Sequence, residues 1–582
     1  LYGLSCQILR RMLKLFQITQ SEKIMDYKKY ISQKIKAEGV AEEDIYASIA
    51  LPPNPEMGDY ALPCFRFAKV LRKSPALIAQ AIAESYPCDG VIEKAEALNG
   101  YVNFTVNKSA LAREVIENVL AAGEKYGSSE MGAGKTVCID YSSVNIAKPF
   151  HIGHLSTTAI GGALYKIFNF LGYKTVGINH LGDYGTQFGK LICAYKHWGN
   201  RDEVEKGGIH AINDLYVRFN SEATEEMEHE AREYFRLIEN GDKEANELFD
   251  WFKDLTLKYV KGIYEKLNVK FDSYAGERFY TDKMQPVIDE LREKGLLKES
   301  EGAQVVDLEK YGMPPCLILR SDGASLYATR DLAAAIYRKN TYDFYKCLYV
   351  VAYQQNLHFK QVFKVLELMG KEWAKDLVHV AYGMVSLEDG AMSTRKGKVV
   401  WLEDVISRCV EKAYGIISEK NPELENKQDV AEKVGIGAVI FGALYNNKIK
   451  DIVFSYDKVL SFEGETSVYV QYTCARANSV MEKGGVPADY AVTDILPQEA
   501  EVIKSIAAFP QAVKDAAEKY EPSIVARFAV DLAQKFNKFY FDCKILTAEG
   551  DKKNFRLALT AAALIALKNA LTLLGIGVPD KM

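Results

Sequence analysis

No stretch of this 582-residue chain stays apolar for the roughly 18 residues that a bilayer-spanning helix requires, so the sequence predicts no membrane partner. Its ten cysteines include no Cys-x-x-Cys pair and do not cluster with histidines along the sequence. That pattern predicts no metal site and describes reduced, mostly buried thiols of a cytoplasmic protein. Low-complexity segments and internal repeats are absent, which removes fibrous, solenoid and largely disordered classes. The net charge of −5 gives no global attraction to nucleic acid, so no DNA partner is expected. Any nucleic-acid contact has to come from local basic and aromatic surface.

What remains is an ordinary globular composition, 48% hydrophobic and 26% charged, on a chain too long for one core. Residues 1–24 begin with Leu1 and place Arg10-Arg-Met-Leu-Lys14 among apolar residues, with Glu22 the only acid. They suit an amphipathic targeting peptide or a non-native or disordered extension ahead of a start at Met25, and the second is expected. Residues 25–128 pattern as helix, a proline-rich loop at Pro52-Pro-Asn-Pro55, further helices, and a period-two strand, Gly100-Tyr-Val-Asn-Phe-Thr-Val106. A nucleotide-binding α/β region spans about 130–405, with strands at Thr136–Tyr141, Thr175–Asn179, Lys346–Ala352 and Leu377–Val385. A charged helical insertion without site-like residues occupies about 195–272. Beyond it, a helical connection (406–455) and a helical end (456–582) carry apolar residues at 3.6 spacing.

The chemistry concentrates in Asp140-Tyr-Ser-Ser-Val-Asn-Ile-Ala-Lys-Pro-Phe-His-Ile-Gly-His154, a loop between a strand-like and a helix-like run. Strand–loop–helix units bind phosphates at the strand's carboxyl end, where helix N–H groups face the anion. Imidazole donors there can stabilise charge on a transferring phosphoryl group. A phosphate-loop reading of Gly127-Ser-Ser-Glu-Met-Gly-Ala-Gly-Lys-Thr136 fails. Ser129 stands where glycine is required, and Lys135-Thr136 leads into a strand.

The quartet His151-Ile152-Gly153-His154 resembles the ATP signature of class I aminoacyl-tRNA synthetases, and the surrounding wording resembles the arginyl-tRNA synthetase family. Gly390-Ala-Met-Ser-Thr-Arg-Lys-Gly397 resembles the family's second ATP loop but departs from it, with Ala391 and Thr394 where lysines are usual. Many arginyl enzymes carry instead a lysine three residues before the first histidine, and Lys148 stands there. The resemblance therefore implies Lys148, His151 and His154 as catalytic. It implies ATP contacts from these three with Gly153, Met392, Ser393, Arg395 and Lys396, although a solvated loop face suits Arg395 and Lys396 equally. Mg²⁺ would accompany ATP without a dedicated protein site.

Arginine requires carboxylates facing its guanidinium. The resemblance implies Ser143, Val144, Asn145 and His154 at the amino-acid end. Glu277, Tyr327, Asp331 and Gln355 would meet the side chain, with Tyr327 and Asp331 at i, i+4 spacing. The segment Asn179-His-Leu-Gly-Asp-Tyr-Gly-Thr-Gln-Phe-Gly189 matches a further family signature, whose polar residues are expected to brace the pocket.

For tRNA, Asn99, Tyr101 and Asn103 in the N-terminal region and Tyr469, Gln471, Tyr472, Arg476 and Met582 near the other end match tRNA-contacting segments. Exposed aromatics there could stack on loop bases, while most aromatics of this part fill a helical core.

The implied architecture is α/β: a Rossmann-like catalytic domain with insertions, an N-terminal α+β domain contacting the tRNA D-loop, and a C-terminal all-α anticodon-binding bundle. The implied activity is ATP-dependent attachment of arginine to tRNA(Arg) by a cytoplasmic monomer. A small-molecule adenylyltransferase would not need the helical last third. A non-catalytic tRNA-binding paralogue would not keep Lys148, His151, His154 and Asp331.

Overall fold

Residues Thr136–Asp140, Lys174–Ile178, Lys346–Tyr349 and Leu377–His379 (β1 to β4) form an all-parallel sheet in the order β4-β3-β1-β2. These strands are short and largely buried, and they read as apolar runs rather than as alternation, as expected of a sheet covered on both faces. Because β3 pairs with β1 on the side away from β2, the strand order turns between β1 and β3. A crevice opens at the carboxyl ends of such a turn.

The computed structural model describes residues 25–52, 54, 57–320, 327–387, 400–492 and 494–582. Helix α1 (Leu155–Phe170) links β1 to β2. After β2 come α2 (Gln187–Trp198), α3 (Arg201–Glu222), α4 (Glu225–Glu239), α5 (Lys243–Lys266) and α6 (Met284–Glu293). Two further helices, α7 (Tyr327–Tyr342) and α8 (Asn356–Leu368), flank β3 in sequence. One core holds Cys138, Ile178, Leu291, Leu332, Cys347 and Leu366 together.

The insertion is helical as expected, but an antiparallel sheet of Leu297–Ser300, Ala303–Val306 and Cys316–Leu319 follows it, which periodicity had not indicated. The predicted strand Leu377–Val385 also divides. Only Leu377–His379 joins the parallel sheet, while Val385–Leu387 pairs with Ile452–Phe454. Gly383 lies between them, and a Cβ there would come within 2.4 Å of the Lys450 backbone. Close backbone packing therefore replaces strand pairing.

The chain divides into two compact units. One holds the described residues up to Tyr126 with Arg476–Pro510 and Asp531–Asn569; the other holds Gly127–Ala475, Gln511–Val530 and Ala570–Met582. In the first, Tyr60–Pro63, Ile92–Leu98 and Tyr101–Val106 make an antiparallel sheet. Its hairpin turns on Asn99 and Gly100, both at positive φ, the conformation a two-residue turn requires. Ile31, Leu62, Ile78, Val102 and Phe104 fill the core beneath.

The helices Ser467–Gly484, Pro497–Glu518, Ser523–Asp542 and Gly550–Leu573, expected within one segment 456–582, contribute to both units. Helix Gly550–Leu573 is long and apolar enough to cross a bilayer by length and composition, yet 83% of its most apolar stretch is buried inside the protein.

Candidate active site

The loop after β1 is conformationally expensive. Ser142, Ser143 and Ala147 all adopt positive φ without being glycine, which concentrates backbone strain in six residues. Surrounding bonds over-determine it. The Ser142 N–H donates to Thr157 Oγ1 at 2.9 Å, and its hydroxyl lies 2.7 Å from the Tyr264 hydroxyl. Gly182 exchanges backbone bonds with Val144 and Ile146. Helix α1 presses against the loop's start, since a Cβ on Gly161 would lie 2.2 Å from the Tyr141 ring.

His151 and His154 close the loop at the start of α1. The Gly153 N–H donates to His151 Nδ1 at 3.0 Å, and the His151 N–H donates to His154 Nδ1 at 3.2 Å. With both Nδ1 atoms accepting, each neutral ring carries its proton on Nε2, so two N–H donors remain for a ligand. Burial pushes the rings down to about 4 for His151 and about 3 for His154, where the neighbouring His151 adds to burial. Both are neutral at pH 7 and act as dipolar donors.

Residues 400–402 run beside this loop: Ile152 N–H donates to Val400 O and Leu402 N–H to Phe150 O. Met392, Ser393, Arg395 and Lys396 lie outside the described residues, but the segment that follows them is anchored at the paired histidines.

A chain of polar contacts leaves the loop in the other direction. Ser143 donates to Asp140 at 2.8 Å, and Asp140 pairs with Arg338 at 2.7 Å, both charges being almost fully buried. Arg338 reaches His180 Nδ1 at 3.3 Å. His180 faces Asp331 at 4.0 Å, and Asp331 accepts from His358 Nε2 at 2.6 Å. Burial raises the Asp331 carboxyl, but the His358 bond and the nearby His180 and Arg338 outweigh it and hold it below the usual range.

Glu277 pairs with Arg330 at 3.1 Å. Burial lifts its carboxyl to about 7, against the attraction of Arg330 and Lys148 and with repulsion from Asp331 and Asp183. Asp183 itself is braced, accepting from Lys253 Nζ at 2.7 Å and from the Arg278 N–H at 2.9 Å.

The structure thus brings Ser143, Glu277, Asp331 and, through its charge, Lys148 into one electrostatic neighbourhood, with His151 and His154 on the same loop. Val144 is buried and Asn145 exposed. Tyr327 keeps the i, i+4 relation to Asp331 but is 69% exposed at the start of α7, and Gln355 is exposed on the turn before α8. Their side chains face solvent rather than the ion-pair chain. Asp140 opens the loop motif and His180 lies in the segment expected to brace the pocket, a role its contacts with Arg338 and Asp331 fit, whereas Arg338, Arg330 and His358 were not singled out from sequence.

Of the tRNA candidates, Tyr101 is 37% exposed, edge-on to Phe65 at 5.3 Å, with Asn99 exposed in the adjoining turn. Tyr472 is 38% exposed and Tyr469 partly so. Arg476 lies 5.0 Å from the rings of Tyr540 and Phe541 and bonds Asn537. Two expectations are corrected. Asn103 is only 6% exposed, although it shares its strand face with Tyr101 rather than with the core residues Val102 and Phe104. Gln471 is fully buried and donates to Lys433 O at 3.0 Å and Gly577 O at 2.7 Å, so it ties backbone segments together. Met582 packs, partly buried, on the core containing Val434 and Val468.

Comparison with known proteins agrees with this geometry. Three family models match: "tRNA synthetases class I (R), catalytic domain" over residues 115–456, "DALR anticodon binding domain" over 470–582 and "Arginyl tRNA synthetase N terminal domain" over 25–106. An arginine–tRNA ligase of Clostridioides difficile is 54% identical over 96% of this chain and all of its own length. One from Alkaliphilus metalliredigens is 51% identical over the same shares. Among solved structures, the Thermus thermophilus arginyl-tRNA synthetase superposes with a TM-score of 0.76 at 26% identity, covering 92% of this chain and 96% of that one. The Plasmodium falciparum enzyme shares the fold, with a TM-score of 0.78 at 22% identity, covering 97% and 100%. With a strained ATP-type loop, a buried carboxylate network at the sheet's switch point and near full-length relatives, the chain belongs to the arginyl-tRNA synthetase family of class I aminoacyl-tRNA synthetases.

Proposed function

We propose that this chain activates arginine with ATP at the carboxyl ends of β1 and β3 and transfers it to the terminal ribose of tRNA(Arg). The observation that carries this reading is the loop after β1, which fixes two neutral imidazoles as Nε2–H donors and carries Lys148, whose charge is felt by Glu277, itself an electrostatic neighbour of Asp331. Attack of the arginine carboxylate on the α-phosphate forms arginyl-adenylate and expels pyrophosphate. His151 and His154 donate to phosphate oxygens as charge grows, Gly153 leaves room for the nucleotide, and Lys148 holds the departing pyrophosphate. Met392, Ser393, Arg395 and Lys396 add further ATP contacts.

The α-amino and carboxylate end of arginine meets Ser143, Val144, Asn145 and His154. Its guanidinium meets Asp331 and Glu277, with Tyr327 and Gln355 closing from the solvent side. The loop offers imidazole and amine rather than carboxylate, so Mg²⁺ would ride on the triphosphate oxygens and contribute charge neutralisation there.

The domain assignment that goes with this reading is 25–128 for the tRNA D-loop contact, through Asn99 and Tyr101, and 130–405 for catalysis. Residues 406–455 connect, and 456–582 bind the anticodon, through Tyr469, Tyr472 and Arg476. The enzyme is read as a cytoplasmic monomer with no DNA or membrane partner, supported by its negative net charge and by the burial of the one described helix long and apolar enough to cross a bilayer.

Two measurements test the arginine pocket. Purified protein should charge total tRNA with arginine and no other amino acid. Asp331→Asn removes a charge-assisted bond worth about 1.5–3 kcal/mol, so the arginine KM rises about ten-fold or more while the ATP KM barely moves. An unchanged arginine KM places Asp331 outside the pocket. The second measurement follows from the Glu277 carboxyl lying near 7. Guanidinium stays protonated throughout, and the ionised carboxylate binds it better than the acid does. The arginine KM should therefore fall as pH rises through about 7 and lose that slope in Glu277→Gln; a slope that survives the substitution assigns it to another group.

A further inference from the structure

Cys193, His197 and Glu230 place one sulfur, one imidazole nitrogen and one carboxylate oxygen within 4.8 Å of one another, although the sequence had suggested no cysteine–histidine cluster. The arrangement follows from helix geometry. Cys193 and His197 are i, i+4 on α2, so both project from one face, and Glu230 comes from α4 packed against it. The thiol donates to the Glu230 carboxylate at 3.5 Å, whose same oxygen lies 2.7 Å from His197 Nε2. Around them, Cys193, Ala194, Phe219, Met227 and Ala231 form a small apolar core that buries the sulfur, while His197 and Glu230 sit at its rim. No residue of the proposed aminoacylation site belongs to this cluster.

We propose that Cys193, His197 and Glu230 form a site for a zinc-type divalent cation that ties α2 to α4. The donor set suits this ion. Thiolate, imidazole and carboxylate are its usual ligands, three protein donors leave one position for water, and the rim supplies that access. The 3.5 Å separation of sulfur and oxygen is already close to the edge of a tetrahedron with bonds of about 2.3 and 2.0 Å. His197 and Glu230 need only part slightly to admit the ion.

Binding exchanges the thiol proton for the metal–sulfur bond. Burial and the nearby Glu230 and Glu228 push the Cys193 thiol up to about 12, so the proton leaves to solvent as the cation enters. The His197 Nε2–H donates to Glu230 here, so metal binding also moves that ring proton to Nδ1 and frees the Nε2 lone pair for the ion. Glu230 also takes a hydrogen bond from Tyr234, which holds the carboxylate in orientation as an outer ligand would.

The test uses the full-length protein stripped with a chelator and then titrated with zinc or cobalt(II). Near one equivalent of zinc should be retained, and the cobalt form should show a thiolate-to-metal charge-transfer absorption. Cys193→Ser should abolish that band. His197→Gln and Glu230→Gln, at the exposed rim where folding is not at stake, should each weaken zinc binding by more than about ten-fold, the loss that even an outer-shell ligand carries. Amide exchange in α2 and α4 should slow about ten-fold with zinc at ten times its dissociation constant. Substoichiometric uptake, a cobalt complex without a thiolate band, or zinc binding unchanged by the rim substitutions overturns the proposal.

Discussion

Arg338→Met should destabilise the α/β unit by about 3–5 kcal/mol, the cost of leaving a buried charge without its partner. Arg338 is 1% exposed and Asp140 5%, and their 2.7 Å pair sits at the end of β1 where the loop to α1 begins. Methionine fills similar volume but offers no charge, so the Asp140 carboxylate stays buried with the Ser143 hydroxyl as its remaining side-chain donor and the partly buried His180 nearby. Asp140→Asn combined with Arg338→Met removes the stranded charge and should recover a good part of the loss, since replacing both members of a buried pair is far cheaper than breaking it. Urea titration of the parent, the single and the double variants separates these outcomes. A single-variant change below about 1 kcal/mol, within the range of ordinary substitutions, would mean that the pair is solvated in solution. Because Ser143 also hangs from Asp140, Arg338→Met should raise the arginine KM even at temperatures where the protein stays folded.

Lys148→Ala should lower kcat by about 10²–10³, the effect of removing one preorganised charge from a phosphoryl-transfer transition state. Lys148 lies in the strained loop three residues before His151, and Thr394 stands where a second-loop lysine is usual in class I enzymes. If its ammonium acts on the departing pyrophosphate, the loss falls on kcat and on kcat/KM together, with the arginine KM little changed. Adding Thr394→Lys in the same protein should restore part of the rate, because either position can bring a cation to the same phosphates. Near-normal pyrophosphate exchange by Lys148→Ala would sink the assignment. A loss confined to the arginine KM would instead place Lys148 beside Glu277, whose carboxyl it already stabilises electrostatically.

The catalytic loop, its flanking strand and helix, and the helical insertion were legible because each is written in contiguous residues. Thr136–Asp140 is a short β-branched and apolar run, and Leu155–Phe170 is an unbroken helical run beyond the loop. Of the hairpin at Asn99-Gly100 only the second strand was read, although both turn residues are neighbours in sequence, and Asn107 caps the next helix with its own side chain, accepting the Ala110 N–H at 2.9 Å. By contrast, the antiparallel sheet of Leu297–Ser300, Ala303–Val306 and Cys316–Leu319 has strands of four residues, too short for periodicity to separate from turns. The break at Gly383 depends on a backbone more than sixty positions away.

The sequence by itself determined the family, the identity of the ATP loop and the residue types that phosphate and guanidinium chemistry demand, because those demands fall on neighbours along the chain. Only the tertiary structure decided the tautomers of His151 and His154, the pairing of Asp140 with Arg338 and of Asp331 with His358, and the meeting of Cys193 and His197 with Glu230. It also removed Asn103 and Gln471 from the surface. Burial and partnership are properties of segments brought together by packing, and no local window of sequence carries a record of which distant backbone or charge will arrive against it.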